Sequence, residues 1–229
     1  MVRDVNGRSA ALRADRVAAT EERLVAAATR LFLRHGYVGT TLTAVAEEAG
    51  VAPRTVYLRF GNKVALFLRA VDVALVGDTA PVDVAHRDWS RHALSAPSLD
   101  ERIRQEARNV RDMFGRVGKL LAVAEEVAAL EPSVAQAAQA GREATREHLR
   151  RFWQQAADDG LLPPGADVGW LADTAVMTCA ADIFGFARKT LGWDAEAYAR
   201  WLETTWRRMV AAADRPAPVR AGTDGHGRA

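Results

Sequence analysis

Residues 40–63 restrict the fold of this chain more than any other stretch, because they read as two short helices joined by a tight turn. Thr41 is a good helix N-cap, since its hydroxyl can accept a hydrogen bond from an unpaired N–H of the first turn. Gly50 suits the turn, because a left-handed backbone costs little without a Cβ. Between them, apolar residues recur at spacings of three and four, at Leu42, Val45, Ala46 and Ala49. The pattern predicts a helix-turn-helix.

The second helix of this pair is short and cationic. Pro53 fits its first turn, where a missing N–H costs nothing. We expect Val56, Tyr57 and Phe60 to form its buried side, with the Tyr57 ring inside and its hydroxyl at the surface. Residues 50–63 hold three cations and no anion. A cationic second helix after a glycine turn is the geometry that enters a DNA major groove.

At these residues the sequence resembles the tetracycline-repressor (TetR) family of bacterial transcription regulators. The resemblance runs from about Thr20 to Val71, roughly a quarter of the chain, while the remainder is similar only in length and helical character. About a dozen spaced positions carry it: Gly36, Tyr37, Thr40, Thr41, Val45, Ala46, Ala49, Gly50, Val51, Thr55, Tyr57, Phe60, Lys63 and Leu66.

The resemblance implies specific DNA contacts. Four residues would contact phosphates, namely Thr41, Thr55, Tyr57 and Lys63. Pro53 and Arg54 would face the bases, and Arg59 would contact phosphate or base. Pro53 departs from the polar or small residue usual there and offers apolar contact, for instance to a thymine methyl group. Leu42 stands where some members place a polar base-reading residue, which leaves Arg54 as the main candidate for bidentate reading of guanine.

Lys63 also draws attention by its position in a first helical turn. A cation there opposes the helix macrodipole, at a cost on the order of a few tenths of a kcal/mol. A DNA phosphate beside the ammonium group would compensate this cost. The alternative is an indifferent, solvated lysine, just as a solvated helix face is the alternative for Arg54 and Arg59, and an ordinary core aromatic is the alternative for Tyr57.

Composition and charge limit the class of protein. Nearly half of the 229 residues are hydrophobic, enough for a sizeable core in one or two domains. Residues 1–65 hold ten Arg and Lys against six Asp and Glu, a net charge of +4 in a chain whose total is +2. Polyanion binding is therefore expected in the N-terminal quarter. The single cysteine, Cys179, excludes an intrachain disulfide or a site of several thiolates within one chain.

The periodicity predicts an all-α fold, with a three-helix DNA-binding domain followed by a larger helical effector-binding and dimerisation domain. We expect a flexible arm over residues 1–19, the DNA-binding domain over 20–66, the larger domain over 67–213 and a flexible tail over 214–229. Further helices are predicted over 20–35, 62–76, 99–116, 119–130, 132–160, 167–191 and 194–213. No stretch reaches the roughly 18 apolar residues of a membrane span, and the polar N-terminus lacks a signal core, so a cytoplasmic location is expected.

The last two predicted helices indicate how the chain assembles. A second, partly apolar face of 167–191 carries Trp170, Met177, Ala181 and Phe186, and a helix apolar on two sides needs partners on both. Members of the resembled family dimerise through their last two long helices, which implies a homodimer on a palindromic operator. Burial within one chain is the alternative. The residues predicted for the interface are Leu171, Ala175, Val176, Cys179, Ile183, Tyr198, Trp201, Leu202, Thr205, Trp206 and Met209.

The resemblance also implies a small-molecule effector in the larger domain. The candidate pocket residues, each of which fits a plain core as well, are Trp89, Met113, Phe114, Phe152, Trp153, Met177 and Phe186. Such a lining suits an apolar or aromatic ligand. Coupling of ~1–3 kcal/mol would weaken DNA binding on the order of 5–150-fold. We expect the protein to repress transcription. Activation of transcription, or control by a partner protein in place of a small molecule, is the alternative.

Two other classes of protein fit less well. None of the five histidines pairs with an acidic residue at a zinc or catalytic spacing, and residues 115–119 lack the spacing of a phosphate loop. We therefore predict no enzyme, no metal site and no cofactor. A protein-binding adaptor is disfavoured by the uninterrupted positive stretch from Arg54 to Lys63. Binding to duplex DNA separates the two classes, because only a DNA-binding protein should bind a duplex in a way that weakens steeply with added salt.

Overall fold

The computed structural model describes residues 5–79 and 88–212, and the predicted all-α class is confirmed over these ranges: ten helices and no strand. The helices are α1 (Val5–His35), α2 (Leu42–Ala49), α3 (Pro53–Phe60), α4 (Lys63–Val76), α5 (Asp88–Ser95), α6 (Leu99–Ala128), α7 (Pro132–Asp158), α8 (Val168–Thr178), α9 (Ala181–Leu191) and α10 (Ala195–Ala212). Helix α1 starts at Val5, so much of the predicted arm over 1–19 is helical instead. The predicted tail, 214–229, lies outside the described residues.

Helices α1 to α3 form the N-terminal head, and their ends follow the local sequence. The Thr41 hydroxyl accepts the Ala44 N–H at 3.1 Å at the start of α2. Gly50 ends α2 with a left-handed backbone, φ 65°, and Pro53 opens α3. Apolar side chains from α1 to α4 close the core of the head; buried among them are Leu24, Leu31, Phe32, Val45, Ala46, Val56, Leu66 and Phe67.

Helix α6 runs unbroken through residues where the sequence predicted a break between 116 and 119. Gly118 serves packing and not termination. Phe184 of α9 stacks on Phe114 of α6 with ring centroids 4.2 Å apart. A Cβ at Gly118 would lie 2.6 Å from the Phe184 ring, so the missing side chain is what lets α9 approach α6.

The predicted helix over 167–191 is in fact two helices, α8 and α9, bent by 49°. Helix α10 makes hydrogen bonds to the residue at this break. The Trp206 indole N–H donates to the Thr178 hydroxyl at 2.9 Å, and the Tyr198 hydroxyl donates to the Thr178 carbonyl. Hydrogen bonds from a neighbouring helix thus satisfy groups at the end of α8, and the chain can turn there.

Within the described residues, no single helix is long and apolar enough to span a membrane. Helices α8 and α9 reach the necessary length and apolar composition only as a bent pair.

We expect Gly118→Ala to lower the free energy of unfolding by about 1–3 kcal/mol, because the new methyl group would push a stacked, buried ring. Gly115→Ala is the matched control in the same helix, since nothing lies within 4 Å of its Cβ position. That substitution should raise the free energy of unfolding by about 0.5–1 kcal/mol through backbone entropy. Urea denaturation of both variants measures the difference. Equal values would show that α9 does not need its close approach to α6.

Candidate nucleic-acid interface

Helix α3 presents a mixed cationic and apolar surface to solvent. Pro53 and Arg54 are exposed at its start, and Leu58 is 75% exposed one turn later. Val56 is fully buried and fixes the inward side of the helix. Arg54 has no hydrogen bond or ion pair with any part of the chain that the structure describes, so its guanidinium group is free to meet a ligand.

Tyr57 lies on this open surface and not in the core. Its side chain is 52% exposed, which corrects the expectation of a buried ring with the hydroxyl alone at the surface. The reason is helical geometry, because Val56 already takes the inward position and the next residue is turned by about 100°. Part of the ring is therefore accessible, and Tyr57 can make apolar contacts as well as a hydrogen bond from its hydroxyl.

Leu42 is a second correction, because it is 7% exposed and belongs to the core of the head. It opens the apolar stripe of α2, so a direct DNA contact from this side chain is not supported. The following residue, Thr43, is exposed on the first turn of α2. The stripe that includes Leu42 already turns Thr43 outward, and this signal was in the sequence.

The start of α2 is suited to an anion. Thr41 is exposed, and its hydroxyl accepts a backbone N–H, which leaves the hydroxyl hydrogen free to donate. Helix N-termini carry partial positive charge and unpaired N–H groups. Thr55 is half-buried on α3. The geometry of Thr41 is thus compatible with its predicted phosphate contact.

Arg59 is engaged inside the head, although a DNA contact was predicted for it. Its guanidinium group donates to Glu21 of α1, and Arg69 of α4 donates to the other oxygen of the same carboxylate at 2.8 Å. Burial alone would raise the pKa of Glu21, but the hydrogen bonds and charges of Arg59 and Arg69 lower it below its ordinary value of 4.5. This carboxylate ties α1, α3 and α4 together.

Lys63 has an internal partner that the sequence argument did not include. Its Nζ donates to the Tyr37 carbonyl at 2.9 Å and lies 4.2 Å from the centroid of the Tyr37 ring. The carbonyl and the ring face offset the unfavourable place of a cation at a helix start. An external anion is therefore not needed to explain the residue. The ammonium group has three donors, so a phosphate contact stays compatible with this geometry.

The predicted pocket residues do not surround one cavity. Phe152 and Trp153 are fully buried, and their rings pack against Trp206 at centroid distances of 6.0 and 5.9 Å. Phe114 is stacked on Phe184, while Trp89 and Met113 are half-buried. Met177 and Phe186 are exposed, at 62% and 57%. Periodicity identified apolar positions correctly but could not separate core, cavity wall and surface.

Two clefts lie elsewhere. One of about 490 Å³ lies between α1, α4 and Arg116 of α6. The other, of about 360 Å³, lies between α6 and α9, with Leu121 and Phe184 among its apolar residues and Lys119 and Arg188 among its cations. Neither is lined by a residue predicted for the effector.

Most residues predicted for the dimer interface are buried inside the chain's own core. Those that are thereby unable to contact a partner are Leu171, Ala175, Cys179, Tyr198, Leu202, Trp206 and Met209. Val176, Trp201 and Thr205 are half-buried, and Ile183 is exposed. The open surface is the other side of the helix pair, which we term the α8–α9 face: Trp170, Met177, Ile183 and Phe186. Most of the stripe chosen from the sequence packs inward, and the exposed residues are Ile183 from that stripe with Trp170, Met177 and Phe186 from the second apolar face.

Comparisons with known proteins agree with this geometry. Residues 24–70 match the family model described as bacterial regulatory proteins, tetR family. No curated protein matches the chain significantly.

Solved structures share the fold over most of the chain. A protein from Mesorhizobium loti MAFF303099, assigned to the TetR-family transcriptional regulators, is 20% identical with a TM-score of 0.66, over 86% of this chain and 98% of its own. A TetR transcription regulator from Haloarcula marismortui ATCC 43049 is 16% identical, TM-score 0.65, over 85% and 97%. The transcriptional regulator FadR from Bacillus subtilis, solved with stearoyl-CoA, is 15% identical, TM-score 0.63, over 83% and 97%. At such identities these likenesses show the fold alone.

We expect Glu21→Gln to lower the free energy of unfolding near neutral pH by about 1–2 kcal/mol, because both arginines lose their shared anion. The folded-state pKa of Glu21 lies below 4.5, so its contribution is present above that pH and is lost as pH falls through the folded-state value. The gap between the two proteins should therefore close in acid, as urea denaturation across pH can measure. Glu22→Gln is the control, since that exposed neighbour has one hydrogen bond within residues 5–79 and 88–212, which it accepts from the Thr79 hydroxyl at 3.2 Å. A gap that is constant with pH would contradict this role of Glu21.

Proposed function

We propose that this chain, which belongs to the TetR family by its N-terminal domain and its fold, is a sequence-specific transcriptional repressor. It binds a palindromic operator as a homodimer in the cytoplasm and is released by a small, largely apolar effector. The observation that carries the proposal is α3, whose outward side offers an unpaired Arg54 beside accessible apolar groups. Activation, or control by a partner protein, is the alternative.

The proposal divides the work of the head between two kinds of contact. Arg54 reads a base edge, and Pro53 with the exposed Leu58 meets thymine methyl groups. Phosphates are held by three groups: Thr41 at the start of α2, Tyr57 on α3, and the ammonium group of Lys63 at the start of α4. Phosphate contacts fix the register on the duplex, and base contacts supply specificity. In this division the DNA-binding domain covers residues 20–66, and residues 67–213 bind the effector and the second copy.

The homodimer is supported by the α8–α9 face. Large apolar side chains that share one exposed surface usually mark an interaction site. Aromatic residues and Met are enriched in the centres of such interfaces. A two-fold arrangement of this face pairs α8 and α9 with their copies and gives the assembly two recognition helices. Operators of helix-turn-helix dimers mirror that symmetry, with half-sites about one helical turn apart.

The effector proposal rests on the larger domain and on what a structural relative binds. The FadR protein from Bacillus subtilis was solved with stearoyl-CoA, an acyl ligand with a long apolar part. The larger domain of this chain is rich in packed aromatic side chains, including Phe152 and Trp153. An apolar ligand that enters such a core must displace side chains that are now in contact. Binding would then favour a second conformer in which the two recognition helices no longer match their half-sites.

Selection of duplexes from a random pool tests the DNA-binding proposal, followed by anisotropy titration at two salt concentrations. We expect an enriched palindrome bound with a Kd on the order of nanomolar. Arg54→Ala should cost ~1–3 kcal/mol and relax specificity at one or two base pairs. Lys63→Ala should weaken all sequences alike and flatten the salt slope by about one unit. Each variant is the control for the other, and identical behaviour would refute the division between reading and anchoring.

Phe186→Lys tests the dimer, because it places an unpaired charge on the α8–α9 face. We expect a monomer in sedimentation equilibrium and at least about tenfold weaker binding to the palindrome, since an aromatic residue buried in an interface is often worth more than about 1.4 kcal/mol. Leu130→Lys is the matched control, as Leu130 is an exposed apolar residue in the turn between α6 and α7. It should leave the mass unchanged. Dimers of unchanged stability in Phe186→Lys would place the interface elsewhere.

A further inference from the structure

One residue of the head touches three parts of the molecule at once. The Tyr37 hydroxyl donates to the Glu131 carboxylate at 3.0 Å, across 94 residues of sequence. The Tyr37 carbonyl accepts from Lys63 Nζ at 2.9 Å and from the Thr40 N–H at 3.3 Å. The Lys63 ammonium group also lies over the ring of the same tyrosine. Tyr37 therefore joins the turn between α1 and α2, the start of α4, and the corner between α6 and α7.

Glu131 uses its carboxylate for a contact outside its own helix. It is the N-cap residue of α7, yet its side chain makes no capping hydrogen bond to that helix. Thr41, Asn62 and Ser98 do cap their own helices with their side chains. A carboxylate at a helix start is stabilised by the first-turn N–H groups. Here it accepts a hydrogen bond from the head instead, which links α7 to the turn before α2.

Tyr37 is buried and packed against two other aromatic rings, so a movement of its side chain would disturb its neighbours. It is 7% exposed, and its ring lies 5.9 Å from Phe32 and 5.4 Å from Phe67, centroid to centroid. Burial and the neighbouring Glu131 carboxylate raise the pKa of Tyr37 to about 12, so its hydroxyl stays protonated and donating at physiological pH. A buried phenol that lost this acceptor would be left unsatisfied, which is costly.

The same residue sets the groups proposed to hold phosphates. Its carbonyl fixes one donor of Lys63, and its bond with Thr40 shapes the turn that ends at Thr41, the N-cap of α2. Thr40 is itself buried, with its hydroxyl donating to the Gly36 carbonyl at 2.8 Å. A displacement of Tyr37 would therefore move both Lys63 and the start of α2.

We propose that Tyr37 and Glu131 are positioning residues that hold Lys63 and the start of α2 in their DNA-binding arrangement. The corner between α6 and α7 thereby sets the DNA affinity of the head. This inference rests on the proposed function, since it concerns the same phosphate contacts. A shift of α6 or α7 in the larger domain would pull the carboxylate from the hydroxyl and release the anchor of Lys63.

Tyr37→Phe and Glu131→Ala test the inference, each removing one half of the hydrogen bond while the Tyr37 ring position stays aromatic. With the duplex that the wild type enriches, both should bind at least about fivefold more weakly and with a salt slope flatter by about one unit. The double variant should bind no more weakly than the single ones, because the two groups act through one bond. Glu131→Gln keeps an acceptor oxygen and should restore most of the affinity. Glu143→Ala, which removes an exposed carboxylate from the middle of α7, should bind like the wild type.

Hydrogen exchange of the free protein gives a readout that needs no DNA. Amide exchange from Thr40 to Ala44 should quicken several-fold in Tyr37→Phe and in Glu131→Ala, with protection of α6 and α7 unchanged. The inference would be overturned if both variants had the amide exchange rates and the salt slope of the wild type. In that case a flatter salt slope in Lys63→Ala would still support the proposed function. Loss of affinity that merely tracks the unfolded fraction, by circular dichroism, would overturn it too. Failure of the wild type to enrich any duplex would instead refute the proposed function, while the exchange experiment still decides the contact.

Discussion

The packing of Phe32, Tyr37 and Phe67 is the interaction on which the rest of the head depends. Three aromatic rings from α1, the following turn and α4 meet with edge-to-face and stacked contacts between 5.1 and 5.9 Å. This cluster fixes α4 on α1, and α4 is the helix that leaves the head for the larger domain. Both the direction of that exit and the place of the turn before α2 follow from it. The polar edge of the cluster, the Tyr37 hydroxyl, then meets α7 directly. The head and the larger domain are thus joined by the chain through α4, by packing of α1 and α4 against α6, and by this hydrogen bond from Tyr37 to Glu131.

The sequence predicted the head well because its signals are local. A cap at Thr41, a left-handed glycine at Gly50 and a proline at the start of α3 each act within one helical turn, and each appears in the structure as expected. The larger domain was predicted less well, since its helix ends are set at long range. The break after Thr178 depends on hydrogen bonds from Tyr198 and Trp206, some 20 to 28 residues away. The glycine that seemed to end a helix at 118 instead admits a ring from α9. Neither partner is visible in a local window.

The same limit explains why the residues predicted for the dimer interface and the pocket include both core and surface positions. Periodicity shows that the segment 167–191 has two apolar faces, but it does not say which face the chain covers itself. Leu171 and Ala175 pack inward, whereas Met177 and Phe186 face solvent. The exposed set was the less apolar of the two in the sequence, as interfaces between separately folded subunits tend to be. An aromatic residue such as Trp153 likewise reads as pocket or core until its neighbours are known, and here Phe152 and Trp206 occupy its surroundings.

The electrostatics of α3 limit how the proposed regulator can recognise an operator. Of the three cations in residues 50–63, Arg59 is committed to Glu21 and Lys63 to Tyr37, which leaves Arg54 as the one without a partner among the described residues. One bidentate arginine supplies about 1–3 kcal/mol of discrimination, and two half-sites double it. Specific regulators prefer their sites to other DNA by about 4–10 kcal/mol. Apolar contacts from Pro53 and Leu58 to thymine methyl groups can add to this, since both side chains are exposed on α3. The remainder has to come from the sequence-dependent shape and deformability of the duplex between the half-sites. In the proposed dimer, a head with so few free donors would read an operator largely through the spacing between its two recognition helices. A change in that spacing would then be an effective way for the larger domain to release the DNA.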